Sequence, residues 1–196
     1  MDGTLADTAK VTIPACAEVA GRLGLPRLSN EIIIGAIGFA NPEFYFRLYP
    51  DLDSERVLAF GRAVERVEES FVRTIGDEIL FPGVKELLDA LYARRIPMHI
   101  ASTGDQNHVD AVLRSADIER FFTTIACGAP QKAAMVADII GANDPAAFAM
   151  VGDREHDVHA ARSNGILAIA ALYGYCRDAA PFDRALNTPI ELLQWV

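Results

Sequence analysis

The chain has 196 residues, of which 51% are apolar and 23% charged, enough for one generous domain or a core with a small accessory domain. Its formal net charge of −9 argues against nucleic-acid or anionic-membrane partners, both of which need a basic surface, but leaves room for a small anionic substrate. No run approaches the ~20 apolar residues of a membrane span, and no basic-then-apolar signal peptide opens the chain.

In chain order, Asp2-Gly3-Thr4-Leu5 is a turn signal. Residues from about Ala6 to Ile79 then show helical spacing and no convincing strand. Val11, Cys16, Val19, Ala20 and Leu23 share one helical face, which Leu25-Pro26 is expected to end. Ser54 reads as the N-cap of a long amphipathic helix carrying Val57, Phe60, Val64, Val67 and Phe71. Gly76-Asp77-Glu78 and Phe81-Pro82-Gly83 bracket a change of pattern.

Beyond Val84, helix-period stretches (84–95, 107–116, 132–140 and 157–164) alternate with short apolar runs (97–101, 122–126, 147–151 and 166–170). Short apolar strands between helices of about three turns predict a doubly wound, mostly parallel α/β sheet. In such sheets ligands bind at the carboxyl ends of the strands. Cys16, Cys127 and Cys176 are far apart and form no C-x-x-C pair, which fits three reduced thiols in a cytoplasmic protein.

Four places carry chemistry. Asp2-Gly3-Thr4 permits a tight turn with a carboxylate in a cleft, although Asp-Gly is also an ordinary turn. Ser102-Thr103-Gly104 follows a strand, where a hydroxyl and loop amides suit either a phosphate or a helix cap. Lys132 opens a helix, against the dipole, which suits either a charge with another task or a solvated side chain. In Val151-Gly152-Asp153-Arg154-Glu155-His156-Asp157, an apolar strand delivers Asp153, and Asp157 follows near a helix start. Two carboxylates so placed either face one hard cation such as Mg²⁺ or are two solvated turn acids.

In order and spacing these segments resemble the haloacid dehalogenase superfamily, in its phosphoglycolate-phosphatase-like branch with a helical cap. Asn164-Gly165-Ile166 and Tyr173-Gly174-Tyr175 extend the resemblance. It implies a core of residues 1–8 and 80–196 around an inserted cap of residues 9–79. It also implies a Mg²⁺-dependent phosphatase working through an aspartyl phosphate. Asp2 would be the general acid and base, its backbone carbonyl a metal ligand. Ser102, with Thr103 and Gly104, would bind phosphate, and Lys132 would steady phosphate and nucleophile. Asp153 would bind the metal, with Asp157 in support. The substrate would be a small phosphorylated metabolite, phosphoglycolate first by resemblance, and the protein a monomer or homodimer.

The family motif is Asp-x-Asp-Gly-Thr, with the first Asp as nucleophile. Asp2 matches the second, so the nucleophile and the strand that delivers it are expected immediately before Met1. The 196 residues alone are therefore expected to lack the first core strand and turnover. A phosphate- and metal-binding protein without activity, and a sugar phosphomutase, remain alternatives. A dehalogenase is disfavoured by Asp2, Asp153 and Asp157. A phosphonate hydrolase needs a cap Lys, for which only Lys10 stands before Lys85. His156 and His159 flank Asp157 but are not needed by an oxygen-ligand plan, while His99 and His108 read as structural. In the aromatic stretch 38–47, Arg47 either grips a substrate carboxylate or is solvated.

Overall fold

The computed structural model describes residues 1–175 and 181–196, so Cys176 lies outside the described residues. Four helices come first: α1 (Ala9–Arg22), α2 (Asn30–Ala36), α3 (Glu43–Leu48) and α4 (Ser54–Ile75). Then α5 (Val84–Ala93), β1 (Met98–Ser102), α6 (Gln106–Ser115), β2 (Phe122–Cys127), α7 (Lys132–Ile140), β3 (Ala149–Gly152), α8 (Glu155–Ser163), β4 (Leu167–Ala171) and β5 (Arg184–Leu186) alternate.

Two helix ends differ from expectation. Asp53, not Ser54, caps α4: its extended backbone lets the carboxylate accept from the Arg56 amide at 2.9 Å. Helix α1 ends at Arg22 and is closed by Gly24, ahead of Leu25-Pro26. Gly24 takes a left-handed φ of 62°, and the Leu25 amide returns to the Ala20 carbonyl at 2.9 Å, closing a glycine C-cap. Leu23 consequently falls past the helix and is 47% exposed, while Val11, Cys16, Val19 and Ala20 are buried.

Helices α1–α4 gather around an apolar cluster of their own that includes Val19, Ile33, Phe44, Val57, Phe60 and Val64. Ile100, Val109, Leu113 and Ile118 belong to a second cluster, and Ala101, Val136, Val158 and Ala168 to a third. Every strand pair is parallel: β1 with β2, and β3 with β4 with β5. This is an α/β fold of parallel strands and helices. Among the described residues no ladder joins β1–β2 to β3–β4–β5.

The chain leaves for the helical layer and returns along one path. The Asp7 amide donates to the Ile79 carbonyl (2.8 Å) and the Phe81 amide to the Leu5 carbonyl (3.0 Å), with Ala6 bridged to Leu80. This pairing places the turn at residues 2–5 against the tips of both β1 and β3.

Candidate active site

At the tip of β3 the chain turns into α8. Asp157, in that helix's first turn, is 3% exposed. Its Oδ2 accepts the amides of Asp153 and Arg154, each at 3.0 Å, and its Oδ1 accepts Lys132 Nζ at 2.6 Å. Burial opposes its charge, but Lys132 outweighs burial and holds the carboxyl below its ordinary value. Lys132 thus stands against its own helix dipole because a buried carboxylate from another helix faces it.

Asp153 is 4% exposed and less satisfied. Thr4 Oγ1 donates to its Oδ1 at a long 3.4 Å. Its Oδ2 has no hydrogen-bond partner; Arg154 Nε lies 3.5 Å away without bonding geometry. Burial and the charge of Asp157 push its pKa up to about 6. Gly3 makes this approach possible: with φ of 71°, a Cβ there would sit 2.2 Å from Asp153 Oδ2.

Those observations test the fit of a hard cation. A buried carboxylate with an orphaned oxygen fits one, and oxygen donors suit Mg²⁺. Asp157 fits a supporting place instead, because both its oxygens are already engaged. Among the described residues no group of three or more His, Cys, Asp or Glu side chains forms a metal cluster, so side chains alone do not complete a ligand set. His156 packs edge-on against Phe39, and both it and His159 are exposed.

At the tip of β1, Ser102 is buried and its Oγ accepts the Gly104 amide at 3.2 Å. Thr103 points the other way, donating to the Gly38 carbonyl of the helical layer at 2.9 Å. Asp105 caps α6 by accepting the His108 amide at 3.0 Å.

Asp2 meets this end of the molecule through His108, whose Nε2 lies 2.9 Å from Asp2 Oδ1. Burial acts to raise the Asp2 carboxyl, but the charge and hydrogen bond of His108 hold it at about 2. In turn, burial disfavours a charged His108, yet Asp2 and then Glu68 lift it to about 10. The imidazolium is therefore present at neutral pH. His108 Nδ1 is 3.8 Å from Glu68 Oε2 on α4, so the ring stands between a carboxylate of each layer. The sequence reading placed His108 on its helix but read it as structural. Its place in the first turn after Ser102-Thr103-Gly104 was the available signal.

A cleft of about 370 Å³ opens beside Asp2, lined among others by Phe39, Tyr45, Glu68, Gly104 and His108. Arg47 is not part of it. Its guanidinium pairs with Glu43 at 2.8 Å and stacks 3.5 Å over the Phe39 ring, and its side chain is 48% exposed. The guanidinium that lines the cleft belongs to Arg66 on α4. Further contacts hold the layers together: Arg154 Nη2 donates to the Ile34 carbonyl at 2.6 Å, and Asn41 Nδ2 lies 3.5 Å from Asp105 Oδ2.

Comparisons with known proteins agree with this geometry. A family model described as haloacid dehalogenase-like hydrolase matches residues 1–171. Phosphoglycolate phosphatase of Synechococcus elongatus is 33% identical over 148 residues, 69% of this chain and 68% of that protein. Phosphoglycolate phosphatase of Chromobacterium violaceum is 28% identical over 207 residues, 98% of this chain and 91% of that protein. In fold, the crystal structure of a predicted phosphoglycolate phosphatase from Haemophilus somnus superposes with a TM-score of 0.90 at 21% identity, covering 100% of this chain and 94% of that one.

Proposed function

This chain belongs to the haloacid dehalogenase-like hydrolase family, and we propose that it works as a Mg²⁺-dependent phosphomonoesterase on a small phosphorylated metabolite. The similarity to phosphoglycolate phosphatases makes phosphoglycolate the first ester to assay. One observation carries the reading: Asp2, the Lys132–Asp157 pair and the unpaired buried oxygen of Asp153 meet around the strand tips.

In this reading the phosphoryl group lies between Ser102 and Lys132. The Ser102 hydroxyl and the loop amides bind its oxygens, and Lys132 spreads its charge into the Asp157 ion pair. Asp153 and the Asp2 carbonyl hold Mg²⁺, which when bound neutralises charge on the transferred group. Held ionised by His108, Asp2 rests in the state that accepts a proton. It takes one from the His108 imidazolium 2.9 Å away and gives it to the leaving oxygen, then accepts one from the attacking water, which restores the pair. In the family motif the carboxylate that attacks phosphorus belongs to the first Asp, and Asp2 matches the second. Residues 9–79 act as a cap that excludes water, turning on the paired crossings at Asp7 and Ile79. A cytoplasmic setting fits such a substrate; no described helix is long and apolar enough to cross a membrane.

The test compares the 196-residue chain with one extended by an apolar strand ending in Asp, each assayed against phosphorylated metabolites with and without Mg²⁺. Turnover by the extended form that needs Mg²⁺ and falls in Lys132→Ala and Asp153→Asn supports the reading. Phosphate binding with no turnover by either form supports the non-catalytic alternative. Turnover indifferent to both substitutions would refute the assignment.

A further inference from the structure

We infer that the cleft beside Asp2 selects a phosphomonoester whose alcohol carries a positively charged amine, and rejects one whose alcohol carries a carboxylate. This rests on the phosphatase reading, because it takes Asp2 and Gly104 as the wall shared between the phosphoryl site and the cleft.

Charge is the first argument. Asp2 and His108 offset each other at 2.9 Å. Of the other charged residues of the wall, Glu69 is paired with Arg73 outside it, which leaves Glu65, Glu68 and Asp105 against the guanidinium of Arg66, with Arg62 also acting on Glu65. Depth sharpens this. Glu68 has its side chain 13% exposed, whereas Arg66, like Glu65, is exposed, so Glu68 is the acid whose charge the solvent screens least. Burial raises the Glu68 carboxyl, against the attraction of His108, as expected where negative charge lacks full compensation. Burial and Asp105 likewise raise Glu65. A cation entering the cleft relieves both groups, and an added carboxylate aggravates both.

The second argument is independent of charge. Thr8 lines the cleft, is 1% exposed, and its hydroxyl has no hydrogen-bond partner of normal geometry, although the Tyr175 hydroxyl is close. An ammonium brings donors and needs acceptors. Thr8 and Glu68 both line the cleft and bring acceptor oxygens to it, Glu68 accepting also from Thr12, and Phe39, Phe44 and Tyr45 supply aromatic surface to the same cleft. Arg47, the residue that would have held a carboxylate, is turned onto Glu43 and Phe39.

Direct calorimetric binding to the full chain with Mg²⁺ tests this on three two-carbon phosphomonoesters: O-phosphoethanolamine, ethyl phosphate and phosphoglycolate. The amine is expected to bind at least tenfold tighter than ethyl phosphate, and phosphoglycolate weakest. Glu68→Gln should bring the three within about threefold of one another; Glu65→Gln, at the more exposed position, gives a smaller shift in the same direction and serves if the first variant does not fold. Phosphoglycolate binding as tightly as the amine overturns the inference, most pointedly if Arg66→Gln removes that binding. Failure of all three to bind, or affinities unmoved by Lys132→Ala, overturns the phosphatase reading and the inference with it.

Discussion

The strand-tip end of the site and the cleft on the other side of Asp2 are built differently. At the strand tips, Asp157 is tied to the amides of Asp153 and Arg154, its near neighbours in the chain, and to Lys132 at 2.6 Å. At the helical-layer end, Asp2, Glu68 and the Asp105–His108 turn come from three separate segments, and Asn41 reaches Asp105 only at 3.5 Å. The first end is braced locally and holds one fixed ion pair. The second is assembled by the docking of the helical layer and carries surplus negative charge. A site that must treat every phosphoryl group alike gains from the first construction. One that distinguishes what is attached to phosphorus can be changed through the second without disturbing the first.

The sharpest way to break this contrast is to remove Lys132. Lys132→Ala leaves Asp157 buried without its cation, so a loss of about 3–5 kcal/mol in denaturant unfolding is expected, with phosphate affinity reduced for every ester alike. Lys132→Met combined with Asp157→Asn should recover most of the stability and none of the affinity. A mild effect of Lys132→Ala alone would mean that the strand-tip end is not braced as described.

Asp153 gives the next largest effect. Its folded pKa of about 6 lies above the ordinary 3.8. The stability it contributes is therefore present below about pH 4 and lost as pH rises through 6. Asp153→Asn should leave the metal-free protein at least as stable at pH 7. Mg²⁺ at a hundredfold its dissociation constant should stabilise the parent by about 2.7 kcal/mol and the variant not at all. The parent's gain should shrink from pH 7 to pH 5 in thermal melts, because protons compete for the same oxygen.

His108 tests the other end. Its pKa is raised to about 10 from 6.5, so its contribution is full below pH 6.5 and lost as pH rises toward 10. Asp2, lowered to about 2, contributes above pH 3.8 and loses that contribution as pH falls through 2. Between about pH 4 and 6.5 both contributions are present. His108→Gln should cost about 1.5–3 kcal/mol there, as for a hydrogen bond to a charged group, and flatten the decline of the thermal midpoint between pH 7 and 10. An equal decline in both proteins would detach His108 from Asp2.

The smallest effect is expected from Arg47→Ala. It deletes an exposed i,i+4 ion pair worth about 0.3–0.5 kcal/mol and should leave substrate affinity unchanged. A rise in KM confined to carboxylate-bearing esters would return Arg47 to the cleft and remove the charge distinction between the cleft and the strand tips.

The strand-tip end was largely legible in the sequence. Lys132 opens α7 as expected, and an apolar strand does deliver Asp153, because a short apolar run followed by Gly-Asp admits few other conformations. Helix limits were read less well: Asp53 competes with Ser54 for one cap, and Gly24 ends α1 before Pro26 has any effect. Thr103 was grouped with Ser102, yet adjacent side chains leave a strand end in opposite directions, and its hydroxyl reaches Gly38. At the helical-layer end almost nothing was legible. The partners of His108 lie 106 residues away at Asp2 and on another helix at Glu68, and helical periodicity does not report which helix faces which.

By itself the sequence determined the family, the parallel α/β alternation, the helical stretch before it and the acids and Lys of the strand tips. Each depends on residues close together in the chain, where backbone geometry leaves few choices. The tertiary structure decided that Asp157 is a brace, that Asp153 holds the unpaired oxygen, that Arg47 lies outside the cleft and that His108 and Glu68 lie inside it. Those outcomes depend on burial and on charges from distant segments, and only packing brings such groups within reach of one another.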